Sequence, residues 1–168
     1  MIQKTEPRTP EKLANGRTVL GAFTAKVPSE WTVKPVTSAM RVADYELGAD
    51  AELVIYYFGE QGAGSVDDNL DRWFGQLAQS DGKDTRSRAK IEKLKLAGQD
   101  ATAASATGHY HAESMSGGPA TDIADAGLLG AIVASPQGPY YMKLVGPKKL
   151  IDANASKFRA MLTSFELR

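Results

Sequence analysis

The hydrophobic pattern of this sequence switches period several times, and each switch marks an element. Residues 1–12 hold Pro7 and Pro10, five charges and almost nothing apolar, which predicts a flexible leader ahead of one domain spanning residues 13–168. Short alternating runs at 23–27 and 31–34 stop at Pro28 and Pro35. Proline has no N–H to give a ladder, so both runs read as edge strands. Residues 40–47 and 51–58 read as a pair of strands joined through Gly48, Ala49 and Asp50. The second is the strongest strand signal, because Leu53 to Phe58 is an unbroken β-branched and aromatic stretch. Such a stretch predicts burial on both faces, and hence layers above and below the sheet.

After residue 65 the period becomes helical. Val66, Leu70, Trp73, Phe74 and Leu77 form one apolar stripe, with Asp71, Arg72, Gln76 and Gln79 opposite. Ser65 is the expected N-cap, Asp68 stands three residues on, and the helix is expected to end near residues 80–82. Ile91, Leu94 and Leu96 begin a strand that turns at 98–100. A long run rich in Ala, Ser and Thr then alternates over 101–113, and residues 116–119 open an irregular loop. Strands at 128–134 and 140–145 follow, joined by a Pro- and Gly-containing turn. Gly146 and Pro147 open a second helix, with Leu150, Ile151, Phe158, Met161 and Leu162 as its buried stripe.

Consecutive strands joined by short turns pair antiparallel. Two amphipathic helices in a strand-rich protein must each lie on a sheet face. The expected class is α+β, an antiparallel β-sheet sandwiched between helices (α/β/α).

Composition narrows the functional classes. A protein of 168 residues, 42% hydrophobic and 24% charged, is long enough to bury a core without a disulfide or structural metal. Twenty basic residues balance twenty acidic ones, so no electrostatic case exists for nucleic acid or an anionic membrane surface. No apolar run approaches the roughly 20 residues of a membrane span. Cysteine is absent, which excludes a thiol nucleophile, a Cys-ligated zinc and an iron–sulfur cluster. The first residues lack the apolar core of a signal peptide.

Three segments invite chemistry. Alternation places His109, His111 and Glu113 on one face of a strand, a geometry that a metal accepts when a neighbouring strand adds a carboxylate. These are the only two histidines, so a resident metal is not the expected reading. The glycine-rich stretch at 59–65 lies between a strand and a helix, as phosphate-binding loops do. It matches neither dinucleotide nor P-loop spacing, and Asp67 and Asp68 already occupy the helix terminus. Lys83, Arg86, Arg88 and Lys90 lie in a basic stretch interrupted by Asp84, which reads as a solvated edge or as a docking patch for an acidic partner. No serine sits in a nucleophile elbow, and nothing selects one acid pair from twenty acids. The protein is therefore expected not to be an enzyme and to need no cofactor.

Several stretches carry a family resemblance. They are Phe23 leading to Pro28-Ser29-Glu30-Trp31, Tyr56-Tyr57-Phe58-Gly59, the helix start Ser65-Val66-Asp67-Asp68-Asn69-Leu70-Asp71-Arg72-Trp73, Gly130-Ala131-Ile132-Val133, and Pro139-Tyr140-Tyr141-Met142-Lys143-Leu144-Val145-Gly146-Pro147. With this order of elements the sequence resembles the PsbP-like superfamily, which includes the Ran-binding Mog family, over most of its length beyond about residue 20. The resemblance implies an antiparallel sheet between helices and action through a protein partner. Its nearest counterparts are bacterial proteins, many of them exported lipoproteins, which implies a periplasmic or envelope-anchored setting, while the N-terminus reads as cytoplasmic. The resulting expectation is a non-catalytic binding or accessory module. Its alternative is a small-molecule or metal-binding protein using His109 and His111.

Overall fold

The computed structural model of the protein describes residues 4–114 and 118–168. Ser116 and Gly117, the start of the irregular loop, lie outside the described residues. Among the described residues thirteen strands are formed: β1 (Lys4–Arg8), β2 (Thr18–Leu20), β3 (Phe23–Ala25), β4 (Thr32–Lys34), β5 (Val36–Ser38), β6 (Arg41–Leu47), β7 (Ala51–Tyr57), β8 (Leu77–Ala78), β9 (Lys90–Leu96), β10 (Gln99–Ala112), β11 (Thr121–Val133), β12 (Tyr140–Pro147) and β13 (Glu166–Leu167). Two helices accompany them, α1 (Val66–Gly75) and α2 (Lys148–Thr163). The principal sheet is antiparallel, in the order β4-β6-β7-β12-β11-β10-β8, with β9 also on β10. A three-stranded sheet β13-β3-β2 and a β1–β5 pair complete the strands. Within the leader, Lys4–Arg8 runs as an exposed strand against β5.

Alternation on β12 shows how the layers are built. Tyr140, Met142 and Leu144 join the core beneath α2, while Tyr141 joins the core beneath α1. The helices therefore cover opposite faces, and the architecture is the α/β/α sandwich that the periodicity predicts. Helix α2 buries Ile151, Phe158, Met161 and Leu162. Its Asn154 accepts a hydrogen bond from Trp31 Nε1 at 3.0 Å, tying the segment after Pro28 to the helix. The small sheet closes the same layer, with Phe23 packed on Phe165 and Tyr140 at ring separations of 5.1 and 5.5 Å.

Two glycines on β11 set how closely the helices approach. A Cβ on Gly130 would lie 2.5 Å from the Trp73 ring of α1, and one on Gly127 would lie 2.9 Å from Cβ of Ile151 of α2. No side group larger than hydrogen fits either position without movement of a packed neighbour.

Helix α1 begins as the capping signal predicts, with Ser65 accepting from the Asp68 N–H at 3.0 Å. It ends earlier than the periodicity predicts. The Gln76 carbonyl accepts from the His111 N–H at 2.9 Å, and Leu77 and Ala78 pair with Tyr110 and His109 as β8. Leu77 still reaches the α1 core, but from a strand. Pairing with β10 thus overrides a helical pattern that Leu77 would otherwise have continued. Pro147 ends β12 and is the N-cap of α2 instead of lying in its first turn.

Candidate binding cleft

Helix α1 has ten residues, about 15 Å of length, and the β11 strand beneath it has thirteen. Its side chains cover Leu128, Ile132 and Tyr141, and leave the remainder of that sheet face open. The opening is a cleft of about 300 Å³. Val54, Tyr56, Lys143 and Val145 form its floor, Tyr110, Thr121 and Ile123 one wall, and Lys34, Glu46, Glu52 and the hairpin turn at Ala49 and Asp50 the other.

Register explains why charges meet here. Lys34 pairs with Asp44, Asp44 with Val54, Val54 with Lys143, and Lys143 with Gly130, so one cross-strand row runs Lys34-Asp44-Val54-Lys143-Gly130. The adjacent row on the same face carries Glu46, Glu52 and Val145. A face that reads as apolar from the Leu53–Phe58 stretch therefore receives cations and carboxylates from its neighbours. Tyr56 on that face is only half-buried, so burial of β7 on both faces holds only in part.

Lys143 is the central group. Its Nζ donates to Tyr110 Oη at 2.9 Å and to Gln76 Oε1, and lies 5.1 Å from the centre of the Tyr110 ring. Both acceptors are neutral. Among the described residues no carboxylate forms an ion pair with Lys143. Burial, with the Arg72 charge acting in the same sense, pulls the Lys143 ammonium down to about 8. Burial likewise pushes the Tyr110 phenol up to about 12, so it carries its proton at neutral pH.

The other end of the cleft is acidic. Lys34 Nζ lies 3.4 Å from both Glu46 and Glu52. Behind Glu52 stands Asp44, 4% exposed. Arg41 donates to Asp44 Oδ2 at 3.2 Å, while Oδ1 is left without a donor among the described residues when both acids are ionised. Burial first, then a side-chain hydrogen bond to Glu52, pushes Asp44 up to about 7. Two carboxyl groups hydrogen-bond to each other only when one carries a proton, so the pair shares one.

The sequence-selected residues lie elsewhere. Residues 121–126, which the pattern does not mark as strand, extend β11 along the end of β10 and bring Asp122 opposite His111. Asp122 Oδ1 contacts His109 Nε2 at 2.8 Å and His111 Nδ1 at 3.2 Å, and Glu113 Oε1 contacts His111 Nε2 at 3.0 Å. The three expected residues thus come together with an aspartate from the neighbouring strand, as an exposed hydrogen-bonded cluster. Among the described residues no group of three or more His, Cys, Asp or Glu is placed to hold a metal ion. The bonds to Glu113 and then to Asp122 raise the His111 pKa above its ordinary 6.5. In an NMR histidine titration, Glu113→Gln is expected to remove the larger part of this displacement and Asp122→Asn a smaller part. An unchanged midpoint in Glu113→Gln contradicts the pairing.

In the basic stretch, Arg86 bonds Asp71 and Asp67 of α1 at 2.7 and 2.8 Å, and Arg88 bonds Asp81. Lys83 and Lys90 are exposed and form no side-chain ion pair among the described residues. Two of the four cations are thus matched by local acids. In the glycine-rich loop the Ala63 N–H donates to Tyr141 Oη at 2.9 Å.

No family model matches this protein, and no curated protein matches it. A solved structure does. The solution structure of cyanobacterial PsbP (CyanoP) from Synechocystis sp. PCC 6803 superposes with a TM-score of 0.53 at 12% identity, over 100% of this chain and 95% of that one. The fold is therefore PsbP-like.

Proposed function

We propose that this protein is a non-catalytic binding module acting through a protein partner, and that the partner engages the cleft beside α1. The observation that supports this reading is the state of Lys143. It is an ammonium held largely out of water among neutral acceptors, at the floor of an opening. Desolvating a cation without a counter-ion is unfavourable for folding, and groups retained against stability concentrate where a ligand binds. The cleft, at about 300 Å³, matches one or two residues of a partner. The PsbP-like resemblance adds a bacterial envelope setting and kinship with partner-binding proteins of that fold.

A photo-crosslinking amino acid with a short aliphatic diazirine side group at position 49, on the exposed hairpin turn that forms the cleft wall, tests the reading in the native host. The expected result is a discrete protein adduct at position 49, absent at position 15 and competed by unlabelled wild-type protein. Unlabelled Ala49→Trp, which fills the mouth of the cleft, is expected not to compete although it melts like wild type. Equal labelling at positions 15 and 49, or undiminished competition by Ala49→Trp, overturns it.

A further inference from the structure

The hydrogen-bond inventory around Lys143 identifies the chemical group that the cleft takes. An ammonium has three donors and no acceptor. Lys143 places two of them on Gln76 Oε1 and Tyr110 Oη, leaving the third without an acceptor among the described residues. Because Tyr110 Oη accepts from Lys143, its own O–H must point away from the ammonium, and no described residue accepts it. Two donors, one of them charged, therefore converge on a space that Tyr110 and Lys143 both line.

We propose that this space receives a single carboxylate from the partner, either an Asp or Glu side group or a free C-terminus, bound by Lys143 Nζ and Tyr110 Oη. The inference rests on the cleft being the partner site. A carboxylate has two acceptor oxygens and one negative charge, which matches two donors and one uncompensated cation. The opposite wall limits the charge that is tolerated. Glu46 and Glu52 share the single Lys34 cation, and Asp50 adds a further carboxylate at the rim. Those acids oppose a multiply charged anion such as phosphate. They favour a carboxylate that carries a peptide backbone, or a nearby cation, behind it.

Glu52 also fixes the scale of the site. Lys143 stands opposite Val54 on the neighbouring strand, and Glu52 is two residues further along that strand on the same face. Such diagonal positions lie about 7–8 Å apart. A carboxylate on Lys143 and a backbone N–H or ammonium facing Glu52 can thus belong to one residue of a partner.

The test is an NMR titration of protein carrying ¹³C-labelled lysine and tyrosine, followed at the Lys143 ε-methylene and the Tyr110 ring. Four probes are used: acetyl-Gly-Asp-Gly-amide for an aspartate carboxylate, acetyl-Gly-Gly-Gly acid for a C-terminal one, acetyl-Gly-Asn-Gly-amide as the neutral match, and inorganic phosphate. Saturable shifts at both residues are expected with one or both carboxylate peptides, and the stronger of the two identifies the source. Lys143→Met and Tyr110→Phe are each expected to weaken that peptide about tenfold or more. If Lys143→Met fails to fold, Tyr110→Phe alone carries the comparison. The inference is overturned if the asparagine peptide binds as well as the acids, if phosphate binds better than either, if no carboxylate moves Lys143, or if the variants bind unchanged. Loss of the carboxylate signal with the position 49 adduct intact removes this inference and leaves the cleft reading. Carboxylate binding without the adduct leaves a carboxylate site at Lys143 and Tyr110 and removes the protein partner as its source.

Discussion

Replacing Trp73 with alanine is expected to destabilise the protein by about 3–5 kcal/mol, lowering the melting temperature by roughly 6–20 °C. Trp73 is 3% exposed and anchors α1 to the sheet over Gly130. The paired substitution is more informative than the single one. A Cβ on Gly130 would lie 2.5 Å from Cζ3 and 2.9 Å from Cε3 of that ring, in a position where the indole is fixed by its helix. Gly130→Ala alone is therefore expected to cost about 1–3 kcal/mol through overpacking. In the Trp73→Ala background the added methyl enters the vacated space, and the same substitution is expected to be near neutral, because glycine has no intrinsic advantage within a strand. The coupling, on the order of 1–3 kcal/mol, is read from urea denaturation of the four proteins. Gly127→Ala is the control. Its clash is with Ile151 on the other face, so its effect should add to that of Trp73→Ala. Additivity at Gly130 instead would mean that the glycine is not there to admit the indole.

The same contact reaches the cleft. Gln76, which holds Lys143, is the C-cap of α1, three residues beyond Trp73. Packing of the indole on Gly130 therefore helps place the acceptor that positions the cleft cation.

The layers of this fold are legible in the sequence because they rest on local signals. Leu53 to Phe58 marks a central strand, Ser65 with Asp68 marks the start of α1, and the Leu150–Leu162 spacing marks α2. What escapes a linear reading is made by register. Leu77 fits a helical stripe, and only its pairing with Tyr110 shows it to be in a strand. The polar stretch at 121–126 becomes strand because β10 is long enough to pair with it, and this delivers Asp122 to the histidines.

The cleft is harder to see for the same reason. Lys34, Asp44, Val54 and Lys143 are separated by ten residues or more in sequence and become neighbours through three ladders. One signal was present: Lys143 is the only charged residue within Tyr140–Pro147, a run otherwise apolar enough to be a central strand. A lone charge inside such a strand marks a position where the sheet face is not plain core. His109 and His111 stand out in the sequence because histidine is rare here, and register joins them with Asp122 in an exposed cluster that the linear pattern does not show.

That misfit should appear in the pH dependence of stability, with opposite signs at the two ends of the cleft. Asp44 has a folded pKa raised to about 7, so between its unfolded value near 3.8 and 7 the folded state holds a proton that the unfolded state has lost. Its contribution is present at low pH and disappears as pH rises through 7. Lys143 has a folded pKa lowered from 10.5 to about 8, so between those values the unfolded state holds the extra proton and stability rises with pH. The full Lys143 displacement corresponds to about 3 kcal/mol at neutral pH. That of Asp44 is on the order of 1–3 kcal/mol once the shared proton and screening by nearby solvent are allowed for. Asp44→Asn retains an acceptor for Arg41 and supplies an N–H donor toward Glu52. It is expected to match wild type near pH 3.8, to gain on it steadily as pH rises to 7, and to exceed it by that amount at pH 8, measured by urea denaturation at each pH. His111 weakens wild type and variant alike over this range, so the difference isolates Asp44. Lys143→Met, which fills the same length without the charge, is expected to gain about 1–3 kcal/mol at pH 7, the hydrogen bonds to Gln76 and Tyr110 being lost, and to flatten the rise above pH 8. A protein stabilised by removing either charge retains it for something other than folding; Lys143 lines the cleft, and Asp44 stands behind its Glu52 wall. If Lys143→Met proves strongly destabilising at pH 7, the ammonium is a structural member of the α1–β10 contact, and the carboxylate titration of Tyr110→Phe decides whether it also holds a ligand.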